Sequence, residues 1–150
     1  MLLSKSCVYG LRAGLYLASH SNGPYTSIRE MSGRLDISFH FLTKILQQLN
    51  AAGLVESHKG PNGGVRLTRP GGEVNLFDIV VAIDGRELFT ECALGLPGCG
   101  SGKPCPLHDK WAGTRDGIRT MLETTNLVEL AKKGKVMNLR ITADGDFDWE

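Results

Sequence analysis

Four side chains in one short stretch could do chemistry together: Cys92, Cys99, Cys105 and His108, spaced Cys-x6-Cys-x5-Cys-x2-His. In a cytosolic chain, three cysteines so close together read as metal or redox chemistry before they read as disulfides. Thiolates are soft ligands that suit an iron–sulfur cluster, Zn²⁺ or Cu⁺. Structural zinc sites usually carry paired short spacings of the Cys-x2-Cys kind, and this stretch has none. The longer, open spacings fit a centre broader than one ion. The residues therefore favour an iron–sulfur cluster, with zinc and cluster-free redox thiols as the other two readings. Cys105 stands just before a helix start expected near Pro106, and His108 follows about one turn later, so both can face one point. A helix N-terminus there favours the negative charge of a thiolate-bound centre. Three Cys and one His make four ligands, although a lone His beside a Trp-bearing helix also has a purely structural reading.

Cys92 and Cys99 sit in a loop over 86–104 that is rich in Gly and Pro, with Cys105 directly after it, and a structureless loop this long is uncommon and usually functional. The elements before it follow from caps and periodicity. Val8, Leu11, Leu15 and Ala18 predict a helix over 4–20, capped by Ser4 and ended by Ser21-Asn22-Gly23-Pro24. Thr26 or Ser27 caps a short helix over 27–34, with Glu30 placed for a capping box. Leu35-Asp36-Ile37 is a turn. Ser38 then caps a helix to about Ala52, which Gly53 stops. Short helix, tight turn and longer helix is the helix-turn-helix rhythm. On that longer helix Leu42, Ile45 and Leu49 line one face. His40, Thr43, Lys44 and Gln47 line the other, all able to hydrogen-bond and none acidic, which suits the mixed base edges of a major groove. Its other reading is an ordinary solvated face. Strands over 55–59 and 65–69 flank Gly60-Pro61-Asn62-Gly63-Gly64, a hairpin in the place of a wing, whose arms carry His58, Lys59, Arg66 and Arg69.

After the hairpin, Asn75 caps a helix through Ile83, ended by Asp84-Gly85. Beyond the cysteine loop, Leu107, Trp111, Ile118 and Leu122 form a narrow apolar stripe on a long polar helix, which suits pairing between subunits; packing on its own domain is the alternative. Asn126 with Glu129 opens a short helix to about Lys133, and the acidic end of the chain from Gly134 is expected to be a mobile tail. The fold class is mainly α with a small β-hairpin: a winged helix-turn-helix over 1–85, a cluster-binding loop over 86–108, a dimerisation helix and short helix over 109–133, and the tail over 134–150.

Composition agrees with a small DNA-binding protein. The hydrophobic fraction of 41% supports a core, and no apolar run approaches the roughly 18 residues of a membrane span. The start of the chain lacks a secretory apolar region, so the expectation is a cytoplasmic protein with no membrane partner. Residues 1–75 hold 8 Lys+Arg against 4 Asp+Glu, and residues 76–150 hold 9 against 12. A basic first half suits an anionic partner. The sequence carries no nucleophile–base, phosphate-loop or paired-carboxylate signature, so no enzyme is expected.

The chain resembles the Rrf-two superfamily of bacterial transcription regulators (the IscR/NsrR type) over about residues 1–133. The resemblance is carried by Leu3-Ser4-Lys5 with Tyr9-Gly10-Leu11-Arg12-Ala13, and by Phe41-Leu42-x2-Ile45-Leu46-x2-Leu49-x3-Gly53-Leu54-Val55. The wing Lys59-Gly60-Pro61-Asn62-Gly63-Gly64 and the three loop cysteines complete it. It implies a homodimer on a roughly palindromic double-stranded DNA operator, with the recognition helix in the major groove and the wing in the minor groove. It also implies an iron–sulfur cluster, [2Fe–2S] ahead of [4Fe–4S], whose state controls DNA binding. The implied ligands are Cys92, Cys99 and Cys105, with His108 matching the histidine of the biogenesis branch. The nitric-oxide-sensing branch instead uses an acidic residue where this chain has Val8, and neighbouring Cys7 is the alternative fourth ligand. Thr43 stands where the biogenesis branch has a Glu that tunes operator choice. The candidate DNA-contacting residues are Thr26, Ser38, His40, Thr43, Lys44, Gln47, Lys59, Asn62, Gly63 and Arg66. Two other functions compete with a cluster-controlled regulator: a cluster-free regulator sensing through thiols or zinc, and an iron–sulfur carrier or assembly factor.

Overall fold

A computed structural model describes residues 2–20, 24–100, 102–143 and 149. Its first half is a helical core with a two-stranded antiparallel wing. Helix α1 (Lys5–Ser19) starts where the Ser4 side chain accepts the Cys7 backbone N–H at 3.0 Å. It is the central strut. Gly10 and Gly14 leave room for Ile83, Ile79 and Leu127, and a methyl at either position would collide with these side chains. Helix α2 (Ile28–Leu35) is capped by Ser27, not Thr26, and ends at Asp36 in the left-handed region, φ 54°. Only half of the expected capping box forms, because the Glu30 carboxylate accepts from the Tyr16 hydroxyl at 3.3 Å. Helix α3 (Phe39–Ala51) follows, capped by Ser38 and burying Leu42, Ile45, Leu46 and Leu49.

Strands β1 (Val55–His58) and β2 (Gly64–Leu67) pair from Val55↔Leu67 to His58↔Gly64. Thr26 adds a bridge to Val65, with N–H···O bonds of 2.8 and 2.9 Å, so the expected cap residue serves as a third, one-residue strand. A single 3-10 turn leads to helix α4 (Leu76–Asp84), where Asn75 and Asp78 form a reciprocal capping box. Burial of Ala13, Tyr16, Met31, Leu42, Ile45, Leu49, Val55, Val65 and Ile79 joins these elements into one core.

The second half departs from expectation in four places. The segment 86–104 is not wholly loop: helix α5 (Glu87–Thr90) forms because Phe89 is buried beside Cys7, Val80 and Leu122. Helix α6 (His108–Thr124) begins two residues after Pro106, leaving Leu107 as its cap, 39% exposed. The apolar stripe of α6 turns largely inward, since Leu122 is buried and Ile118 packs against the same cluster. Helix α7 (Leu127–Met137) runs beyond Lys133, and the segment after it folds back: Ile141 and Thr142 are buried, and the Trp149 indole lies on Gly134 and donates to the Leu139 carbonyl at 2.7 Å. The rest of the expected acidic tail, residues 144–148 and 150, lies outside the described residues, as do residues 21–23 of the expected end of α1. Among the described residues no helix is long and apolar enough to cross a membrane.

Candidate DNA interface and cysteine site

The solvent face of α3 presents His40, Lys44 and Gln47, all exposed, with Thr43 half-buried between them. The Thr43 hydroxyl donates to the Phe39 carbonyl at 2.8 Å, which fixes its direction and leaves its oxygen lone pairs outward. Ser38 is exposed and occupied as a cap, accepting the Phe41 N–H at 3.1 Å. The wing stands beside this helix: Ile28, Thr43, Leu46, Gln47, Asn50, Ser57 and Val65 line one cleft between them. At the wing tip Lys59 and Asn62 are exposed, and the Gly63 N–H donates to the Gly60 carbonyl at 3.0 Å. A Cβ on Gly63 would strike the His58 carbonyl, and one on Gly64 the Thr26 carbonyl, so the tight tip requires both glycines. Arg66 is held by Glu56 across the hairpin and lies 4.6 Å over the Tyr25 ring, which stacks on His58 at 5.1 Å. Tyr25 was not legible as part of this surface, because its stack depends on strand pairing.

The cysteine site is built from the loop and the first two turns of α6. The Cys92 and Cys105 sulfurs lie 3.5 Å apart, and the Cys99 sulfur lies 3.5 Å from His108 Nδ1. All four cysteines are free thiols. The Cys92 thiol is drawn below its ordinary range by backbone N–H groups of Leu96 and Leu94, the latter at 3.4 Å from the sulfur. Burial pushes the Cys105 thiol up, and its contact with Cys92 adds to this. From α6, Trp111 Nε1 donates to the Glu91 carbonyl at 2.9 Å, and Arg115 Nη1 donates to the same carbonyl at 3.2 Å and to the Cys99 sulfur at 3.4 Å. His108, Trp111 and Arg115 are thus one stripe of α6, at i, i+3 and i+7, facing the loop. Arg115 was missed from the sequence, although its spacing from His108 was the available signal.

Residues 3–133 match the family described as "Rrf2: Iron-dependent Transcriptional regulator". The chain belongs to the Rrf2 family of DNA-binding transcriptional regulators. It is 31% identical over 146 residues to the HTH-type transcriptional regulator IscR of Xenorhabdus nematophila, covering 97% of this chain and 88% of that one. Among solved structures it is similar to CymR of B. subtilis, titled the global cysteine regulator, at TM-score 0.73 and 25% identity over 87% of this chain and 96% of that one. T. potens IscR shares the fold at TM-score 0.72 and 24% identity, over 90% of this chain and 89% of that one. The mainly helical winged fold expected from the sequence is the fold of these Rrf2 regulators.

Cys7, considered as an alternative ligand, belongs to the Rrf2 core of this chain and not to its surface. It is fully buried, and burial, reinforced by Asp84, pushes its pKa up to about 12.

Proposed function

We propose that this Rrf2 regulator is a homodimer whose operator binding is controlled by an iron–sulfur cluster held by Cys92, Cys99, Cys105 and His108. The observation that carries the cluster is the arrangement of the donors in two pairs, Cys92 with Cys105 and Cys99 with His108, each 3.5 Å between donor atoms. A single zinc ion gathers four donors about one point at roughly 2.0–2.3 Å, whereas donors in two pairs suit a two-iron centre with one pair to each iron, which supports [2Fe–2S]. When bound, such a cluster supplies a redox couple and an oxidant-sensitive group tuned by the hydrogen bonds around it.

The chain's own residues supply the rest. Trp111 and Arg115 tie the residue before Cys92 to α6, so a shift of the loop is a shift of α6. Leu2, Leu3, Val8, Leu88, Ile118, Met121 and Leu122 line an apolar hollow along α6, with Leu2 63% and Met121 56% exposed. A second copy of the chain is the partner that fits it, since exposed apolar patches mark interaction sites. In the dimer the recognition helices must meet half-sites about 34 Å apart, and moving α6 re-spaces them. His40, Thr43, Lys44 and Gln47 read the major groove. Lys59, Asn62, Gly63 and Arg66 enter the minor groove, and Thr26 and Ser38 stand near the backbone at the starts of the two helices.

Thiol sensing without a cluster is the second reading, supported by the lowered Cys92 thiol and by the likeness to CymR, the global cysteine regulator of B. subtilis. Anaerobic purification separates the two. A coloured protein with equal iron and sulfide, lost in Cys92→Ala and His108→Ala, supports the cluster. A colourless protein that changes DNA affinity on thiol oxidation supports the second reading.

A further inference from the structure

The cluster reading leaves one group of the site without a role. Arg115 reaches from the second turn of α6 into the cysteine loop. Its Nη1 is shared between the Glu91 carbonyl and the Cys99 sulfur, at 3.2 and 3.4 Å. Its Nε is shut off from solvent and has no hydrogen-bond partner. Among the described residues no carboxylate forms an ion pair with it; the pairs that form are Arg66–Glu56, Arg69–Asp78 and Arg119–Glu123. A guanidinium is always charged, and the part of it taken out of water calls for an opposite charge or hydrogen bonds. Arg115 is half-buried, and in the thiol form of the loop its sealed Nε meets neither. Thiolates bound to a metal centre would give it the missing anion.

We propose that Arg115 is a positioning residue of the cysteine site: it clamps Cys99 and the Glu91 carbonyl to α6 and supplies the positive charge that balances a thiolate-bound centre. The proposal rests on the cluster reading above. Two consequences follow from the charge. A fixed cation beside the centre favours its more negative, reduced state, so the site takes up an electron more readily. The same charge opposes release of the thiolates, so the centre is held longer.

Wild type, Arg115→Lys and Arg115→Gln are loaded anaerobically, and each is titrated with dithionite through mediator dyes, one electron being added per centre. Chelator-driven bleaching is followed in parallel, and melting curves check the fold. The expected result is a midpoint in Arg115→Gln lowered by about tenfold in the reduced-to-oxidised ratio, about 59 mV for one electron, with Arg115→Lys close to wild type and faster bleaching only in Arg115→Gln. Equal midpoints in all three proteins overturn the proposal while the cluster reading stands. A wild type that binds no iron and sulfide overturns both. If Arg115→Gln melts like wild type but loads no iron, Arg115→Lys must load; failure of the lysine variant to do so overturns the charge role.

Discussion

At Cys7 the thiol is sealed among Val80, Phe89 and Leu122, and its pKa rises from 9.0 to about 12. Thiolate, not thiol, is the nucleophile, so Cys7 is expected to be inert while the loop cysteines react. In cluster-free protein at pH 8, iodoacetamide followed by mass mapping labels Cys92 ahead of Cys105 and spares Cys7. Rapid labelling of Cys7 in the folded state contradicts this. The sign of the linked pH effect follows: the native state keeps a proton that the unfolded thiol loses near 9.0, so Cys7 lowers stability as pH rises from 9.0 towards 12. Residue spacing was enough to mark Cys92, Cys99, Cys105 and His108 as one candidate group, because the three cysteines fall within 14 residues and His108 stands one turn beyond Cys105. It could not separate Cys7 from them by chemistry. Spacing puts Arg115 on the His108 face of α6, but its contact with Cys99 is not legible there, because it needs the loop to fold back over two turns of that helix.

Among the elements, the proposed division of DNA binding between α3 and the wing is separated by two substitutions. Gln47 is exposed on the base-facing side of α3, so Gln47→Ala should cost roughly 1–3 kcal/mol on the preferred operator and relax discrimination at one base pair. Lys59→Ala at the wing tip should weaken all sequences alike and reduce the salt slope by about one. Anisotropy titrations at several salt concentrations, on operator and scrambled DNA, distinguish these outcomes. Identical behaviour of the two variants would refute the division. Helix starts were legible wherever a side chain caps them, as at Ser4, Ser27, Ser38, Asn75 and Asn126. Helix α5 has no side-chain cap and exists through the burial of Phe89, and the length of α7 is set with Trp149 packed on Gly134 from far along the chain. Both are non-local effects that periodicity does not carry.

At the scale of the whole molecule, the stripe read from the sequence as a subunit seam is divided. Ile118 and Leu122 pack inward, and Met121, one step round the helix, stays open beside Leu2. Met121→Glu should shift the mass seen by light scattering from dimer to monomer and weaken operator binding at least tenfold. Val136→Glu, at a residue 78% exposed outside this patch, should leave both unchanged. An intact dimer in Met121→Glu would move the interface elsewhere. The proposed linkage between cysteine site and DNA-binding face runs through α6, and a state-dependent affinity of this kind is the ordinary coupling of two sites, typically 5–150-fold. The most direct test compares operator binding by anaerobic cluster-loaded and cluster-free protein, at one salt concentration and with scrambled DNA as control. Operator affinity should differ at least about fivefold between the two states, with scrambled DNA unaffected; equal operator affinity in both states would contradict control by the cluster.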